Sequence, residues 1–182
     1  NITEVIIFSG NHDLIENNLS RTPNLEALTP KNNNVHYLKK TGIYEYGNIL
    51  FYFKSLEDTD PLPKIKKNKL KKHIALYHGM LQEIGYNKTD YGVKDFEPYD
   101  YTLLGDIHIR QFYKNKIAYA GSLIQQNFGE NINNHGYIKW NINDGSYEEI
   151  NIPNNYGFVN IEIKDNKYII PSNLPPNIYL KF

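Results

Sequence analysis

The chain has 182 residues, a formal net charge of zero and no cysteine, which excludes disulfides and thiolate metal sites and suits a reducing compartment. That length supports one domain with its own core and room for the start of a second, and 40% hydrophobic residues with 14% aromatics exclude a wholly disordered chain. No apolar run approaches the roughly 20 residues that span a bilayer and no signal peptide heads the chain, so the expectation is a soluble, intracellular protein, cytoplasmic or nuclear, that needs no membrane. With no net charge, any nucleic acid would have to be held by local basic patches or by metals.

Val5 to Phe8 is an apolar run that reads as a buried strand, and it leads directly into Gly10-Asn11-His12-Asp13. Asn and Asp favour turns, so the plain reading of those four residues is a polar turn. The chemical reading is a hydrolytic corner: Asn11 offers an amide oxygen to a metal, His12 moves a proton and Asp13 orients His12. Residues 14 to 34 are rich in Asn, Pro and Thr and read as a surface excursion, with Asn24 to Leu28 its only helical-looking piece. Val35 to Leu38, Ile43 to Tyr46 and Ile49 to Phe53 read as paired strands, the last two joined at Gly47-Asn48.

Six lysines between Lys64 and Lys72 read either as a solvated linker or as a contact to phosphates. His73 to Tyr77 is then a short apolar strand ending at His78-Gly79. Gly85 to Pro98 reads as loop with one turn of helix at Val93 to Phe96, and Tyr101 to Leu104 as a strand ending at Gly105-Asp106-Ile107-His108. Ile117 to Tyr119 leads to Ala120-Gly121-Ser122. Alternation over Tyr137 to Ile142, the Asn143-Asp144-Gly145 turn and Tyr147 to Ile152 predict a hairpin. Val159 to Lys164 alternates again, Asp165-Asn166 turns, and Tyr168 to Ile170 and Tyr179 to Phe182 read as strands. Both ends of the chain therefore look cut. His36 and His73 fit structural roles, His135 a loop, and Tyr119, Ser122 and Gln125 are candidates to face a crevice.

Three apolar strands each end in potential metal ligands: Asn11, His78, and the pair Asp106 and His108. Loops leaving the carboxyl ends of strands converge on one crevice in open α/β sheets, so these groups can meet despite their separation in sequence. Imidazoles, a carboxylate and an amide oxygen, without thiolate, suit Mn, Fe or Zn. Arg110 and Gln111 follow closely enough to contact a substrate phosphate.

Gly-Asn-His-Asp, then His-Gly after a strand, then Gly-x-x-His after a strand, in this order, resembles the calcineurin-like metallophosphoesterases. More narrowly, Leu103 to Gln111, followed by Ile117 to Ser122 and the hairpin from Gly136, is similar to the SbcD-type nucleases of DNA double-strand-break repair. The resemblance covers most of residues 5 to 152, and the later strands fit the start of that family's capping domain. It implies an α/β fold, with residues 1–152 forming the C-terminal part of an αββα metallophosphoesterase sandwich and residues 153–182 beginning a small α+β capping, DNA-binding domain. Matched residue by residue, it implies Asn11 and His78 as ligands of one metal, His108 as a ligand of the other, and His12 as the catalytic group near the leaving oxygen. Asp106 stands where the family pattern has His, and a carboxylate can replace an imidazole at a Mn or Fe site.

The function so implied is two-metal hydrolysis of DNA phosphodiesters, with two Mn2+ ions (Fe or Zn being alternatives), an SMC-like ATPase as partner and a homodimer in the full-length protein. The family's first two motifs, Asp-x-His and Gly-Asp-x-x-Asp, would lie before residue 1, so this chain alone is expected to turn over little or no substrate. Two other readings stand beside the nuclease. One is a phosphoesterase for a small phosphodiester or a phosphoprotein, and the other is a non-catalytic scaffold.

Overall fold

A computed structural model describes residues 3–14, 25, 29, 34–66, 68–85, 89–165, 167–170 and 172–181. The helical reading of Asn24 to Leu28 lies, apart from Leu25, outside the described residues. The chain divides into two compact units, one made of Asn1–Asp106 and Phe112–Ala118, the other of Ile107–Gln111 and Tyr119–Phe182.

The first unit is built on a six-stranded sheet. Strands β3 (Gly42–Tyr46) and β4 (Ile49–Lys54) form the predicted hairpin, its turn made possible by the left-handed Gly47 at φ 58°. Strand β5 (Lys72–His78) lies parallel beside β4, and β6 (Tyr101–Gly105) parallel beside β5. Beyond β6 come β8 (Ile117–Tyr119) and, at the edge, β7 (Gln111–Tyr113), giving the order β3-β4-β5-β6-β8-β7. Lys114 and Asn115 between β7 and β8 are both left-handed, with φ of 51° and 54°, as a tight hairpin turn demands. Strand β1 (Val5–Ile7) pairs in parallel with β2 (Val35–Tyr37) in a separate two-stranded ribbon. Its residues are half-exposed, not buried as their apolarity predicts.

The continuous apolar run in β5 follows from its place between two parallel neighbours. His73 to Tyr77 are all buried, because a central parallel strand has both faces covered. Around it Tyr52, Tyr99, Phe96, Tyr77 and Tyr91 form a chain of ring contacts with centroids 5.2 to 6.4 Å apart. Buried His73 bonds through Nδ1 to the Tyr52 hydroxyl and through Nε2 to the Asn68 carbonyl, each at 2.9 Å. Its role is structural.

The architecture corrects the sequence reading. Strands make up 39% of the described residues and helix 7%, so the fold is mostly β and not the expected α/β αββα sandwich. The resemblance to the calcineurin-like metallophosphoesterases and their SbcD-type nuclease branch fails with it, because the helical layers that define that architecture do not form among the described residues. The reason lies in the crossovers. An α/β sandwich needs a helix between each pair of parallel strands. Here residues 55–71, between β4 and β5, contain Pro61 and Pro63 and form no helix among the described residues. The described residues of 79–100, between β5 and β6, contain one four-residue α-helix, α1 (Val93–Phe96), and a 3-10 turn at Gln82–Ile84. Parallel strands laid down in order without helical layers give a solenoid-like winding.

Side chains replace the missing helices as hydrogen-bond partners of the crossover backbone. Asp58 accepts the Thr41 N–H at 2.7 Å and its hydroxyl at 2.6 Å, and the Ser55 N–H donates to the same hydroxyl at 2.9 Å. Farther on, the Leu62 N–H donates to the Tyr91 hydroxyl at 3.0 Å and the Lys66 N–H to the Tyr52 hydroxyl at 3.2 Å.

The second unit also consists of short strands. Strands β9 (Gly136–Trp140) and β10 (Tyr147–Asn151) form the predicted antiparallel hairpin. Strand β11 (Tyr156–Asn160) pairs in parallel with β14 (Asn177–Lys181), while β12 (Glu162–Lys164) and β13 (Lys167–Ile169) form a small hairpin. The run read as one strand from Val159 to Lys164 is thus split between two ribbons. Residues 153–182 show strands and no helix among the described residues, so the α+β capping domain is corrected with the rest. No helix of the described residues is long and apolar enough to cross a membrane.

Candidate functional site

A tight turn positions the first predicted residues. Asn11–Asp13 form one 3-10 turn after β1, closed by the Asp13 N–H donating to the Gly10 carbonyl at 3.1 Å. The Asp13 carboxylate accepts the Gly10 N–H at 2.9 Å, so it fixes the turn, and no bond from it to the exposed His12 ring is formed. The His12 N–H donates to Asn11 Oδ1 at 3.1 Å, which holds the Asn11 amide in place.

Asn11 joins the ends of two sheet strands. Its Oδ1 lies 3.1 Å from Nε2 of His78, the last residue of β5, and its Nδ2 lies 3.5 Å from Oδ1 of Asp106, just past β6. His78 Nε2 and Asp106 Oδ1 are 3.7 Å apart. Residues separated by 67 and 95 positions therefore meet at one corner of the first unit. Two glycines make room for the imidazole. A Cβ on Gly10 would stand 2.6 Å from His78 Cε1, and one on Gly105 would stand 2.6 Å from His78 Nδ1. Asp106 has φ 97°, a conformation that costs a non-glycine residue on the order of 1–3 kcal/mol and that clusters at functional sites.

The spacing at this corner can be set against that of the ligands around a divalent cation. Ligands about 2.1 Å from an ion stand about 3.0 Å apart in an octahedron and about 3.4 Å apart in a tetrahedron. The Asn11 Oδ1 to His78 Nε2 distance of 3.1 Å lies between those edges, and the His78 Nε2 to Asp106 Oδ1 distance of 3.7 Å is longer than either. The ionisable donors are few. Among the described residues no three His, Asp or Glu side chains come together to hold a metal, and this corner offers two of them with an amide.

The remaining predicted residues belong to the second unit and have their own partners. His108 Nδ1 bonds to Glu130 Oε1 at 2.7 Å. That carboxylate, 8% exposed, also accepts from the Asn127 amide at 2.7 Å and the Gln126 N–H at 3.0 Å. A ring nitrogen held by a carboxylate in this way orients an imidazole and leaves Nε2 to act on a ligand. The Arg110 side chain is 4% exposed. Its guanidinium donates to the Ala120 and Ile150 carbonyls at 3.3 Å each, to Asn151 Oδ1 at 3.0 Å and to Glu149 at 3.3 Å, which locks β10 to the loop after β8. Gln111 is half-buried in β7.

Ser122 and Gln125 are buried and serve the same unit. The Ser122 hydroxyl pairs with His135 Nδ1 at 2.9 Å, and His135 Nε2 bonds to the Asn131 carbonyl at 2.6 Å, so His135 is a buried loop residue with both nitrogens engaged. The Gln125 amide donates to the Glu130 and Phe158 carbonyls at 2.9 Å each and accepts the Phe158 N–H at 2.7 Å. Glu130 is the residue that sequence reasoning missed, because nothing in the spacing of Asn127-Phe128-Gly129-Glu130 ties it to His108. The role of Gly10 and Gly105 as walls for His78 was missed too, although both stand in the quoted motifs.

No family model matches the chain, and no solved structure matches it. Over its whole length the chain is similar to a segment of "Uncharacterized protein R555" of Acanthamoeba polyphaga mimivirus, 39% identical over 204 residues, and it spans 15% of the length of that protein.

Proposed function

We propose that the first unit binds one divalent cation at Asn11, His78 and Asp106 and promotes hydrolysis of a phosphodiester, with DNA as the polymeric substrate. The observation that supports this most is the meeting of those three side chains at 3.1 to 3.7 Å around a glycine-walled imidazole. A divalent cation bound there supplies Lewis-acid polarisation of a phosphoryl oxygen and neutralises its charge. Asn11 Oδ1 and Asp106 Oδ1 both face His78 Nε2, at 3.1 and 3.7 Å. His12, exposed on the same turn, carries a proton to the leaving oxygen. Asp13 holds the turn that sets the position of His12 relative to Asn11.

Manganese binding by calorimetry, measured beside hydrolysis of bis(p-nitrophenyl) phosphate and of linear DNA, tests the reading. His78→Ala and Asp106→Asn are expected to lose both binding and turnover, and His12→Ala turnover alone. Turnover unchanged in His12→Ala, or manganese bound equally by His78→Ala, overturns it. The second reading, a non-catalytic scaffold, is favoured by the presence of only two ionisable donors at the corner, and it predicts metal binding with neither substrate cleaved.

A further inference from the structure

The second unit carries a cleft of about 570 Å³ that is remote in character from a phosphate site. None of its described lining side chains is a carboxylate, an ammonium or a guanidinium. Its polar wall is rich in amides, among them Asn133, Asn134, Asn151, Asn154 and Asn173, with Tyr156 as the one phenol ring among the described lining residues. Tyr156 is 56% exposed. The volume lies inside the range of about 300–1,000 Å³ typical of small-molecule sites.

The amides have capacity to spare. Asn151 Oδ1 is taken by Arg110 at 3.0 Å and Asn154 Oδ1 by the Tyr156 N–H at 3.2 Å, which leaves both NH2 groups as donors. The side chains of Asn133, Asn134 and Asn173 make no hydrogen bond within the described residues. His135 lines the cleft, but its two nitrogens are engaged by Ser122 and Asn131. The backbone behind the cleft is tightly fitted. A Cβ on Gly157 would stand 2.9 Å from Ile132 and from Pro175, both lining residues, so β11 passes between them without room for a side chain.

We propose that this cleft binds a neutral saccharide. An amide is donor and acceptor at once, and so is each sugar hydroxyl, whereas a phosphate or carboxylate ligand would want the cations that the cleft lacks. A pyranose also has one apolar C–H face to lay on a single aromatic ring. A nucleobase has two flat faces to cover and keeps its hydrogen-bonding atoms on its edge. One ring and a wall of amides match the first pattern. The site lies wholly in the second unit and stands independently of the hydrolytic reading of the first.

The test is titration of the intact chain, without added metal, with glucose, galactose, mannose, N-acetylglucosamine and maltose, followed by amide and tyrosine NMR shifts. Adenosine and inorganic phosphate serve as contrasts. The expected result is saturable shifts of the cleft asparagines with at least one sugar, weakened by about fivefold in Tyr156→Ala and retained in Tyr156→Phe. Because Tyr156 is exposed, neither variant should disturb folding, and the hairpin β9–β10 resonances report on that directly. No sugar binding, shifts that map outside the cleft, equal binding by Tyr156→Ala, or preferential binding of adenosine or phosphate each overturns the proposal.

Discussion

Single residues in this protein are committed by their surroundings more than by their type. Gly10 is the sharpest case, since any side chain there meets the His78 ring at 2.6 Å. The backbone of Gly10 is itself tied through its N–H to Asp13, so the ring would have to give way. Gly10→Ala is expected to destabilise the first unit by about 1–3 kcal/mol, as overpacking does, and to displace His78 from Asn11. Urea unfolding with the His78 ring resonances checks both, and an unchanged midpoint with unchanged resonances would contradict it. Arg110 is the matching case in the second unit. An arginine two residues after His108 reads in sequence as a phosphate contact, but its guanidinium is spent on Ala120, Ile150, Asn151 and Glu149. Truncation to Ala removes a buried guanidinium and its bonds to the half-buried carbonyls of Ala120 and Ile150, so a loss of about 1–3 kcal/mol is expected, with Arg110→Lys recovering only part. Thermal melts of the three proteins decide it. Burial of this kind is invisible in the sequence because it depends on β10, some 40 residues away.

At the scale of elements, most strands and turns were legible and the architecture they build was not. Val93–Phe96, the β3–β4 turn and the β9–β10 hairpin follow from local alternation and turn residues, which act over a few positions. The crossovers themselves read as linker and as loop with one helical turn, but the ligands at the strand ends suggested an architecture whose helical layers the described residues of 55–71 and 79–100 do not supply. Those crossovers rest on a few side chains with shifted titrations. Burial alone would push the Asp58 carboxyl up, but the Thr41 hydroxyl and N–H, helped by Lys54, outweigh it and hold the group below its ordinary value. A lowered native value means stability present above about pH 4 that is lost as pH falls through the native value. Wild type should therefore lose stability in acid more steeply than Asp58→Asn, and equal slopes in urea midpoints from pH 7 to 3 would refute this. Tyr99 acts at the other extreme. Burial, then the neighbouring Tyr52 and Tyr91, pushes its phenol up to about 12, and its hydroxyl donates to the Pro63 carbonyl at 2.5 Å. A raised native value means stability present below the ordinary value of 10.0 and lost as pH rises through about 12. Tyr99→Phe should flatten that alkaline loss, which pH-dependent unfolding at pH 9 to 12 would show.

For the molecule as a whole, burial is distributed very unevenly, and this sets where it opens. In β4, β5 and β6 the side chains are largely buried, with Tyr52, Ala75 and Thr102 fully so, and each strand is paired on both edges by backbone bonds. In β12, β13 and β14 every described residue is exposed, Ile163, Tyr168 and Tyr179 included, and each strand has one partner. Amide protection depends on the free energy of local opening, which falls where few apolar contacts close over the hydrogen bonds. Native-state hydrogen exchange should therefore give β5 the slowest amides in the chain and the β12–β13 hairpin the fastest of the strands. The corner at Asn11, His78 and Asp106 draws on both regimes. His78 and Asp106 continue the protected strands β5 and β6, while Asn11 follows the half-exposed three-residue β1. If the cation site proposed for that corner forms, added manganese should slow exchange at Asn11 and His12 much more than within β5. Manganese that leaves the exchange of the Gly10 to Asp13 turn unchanged would mean that Asn11 takes no part in binding.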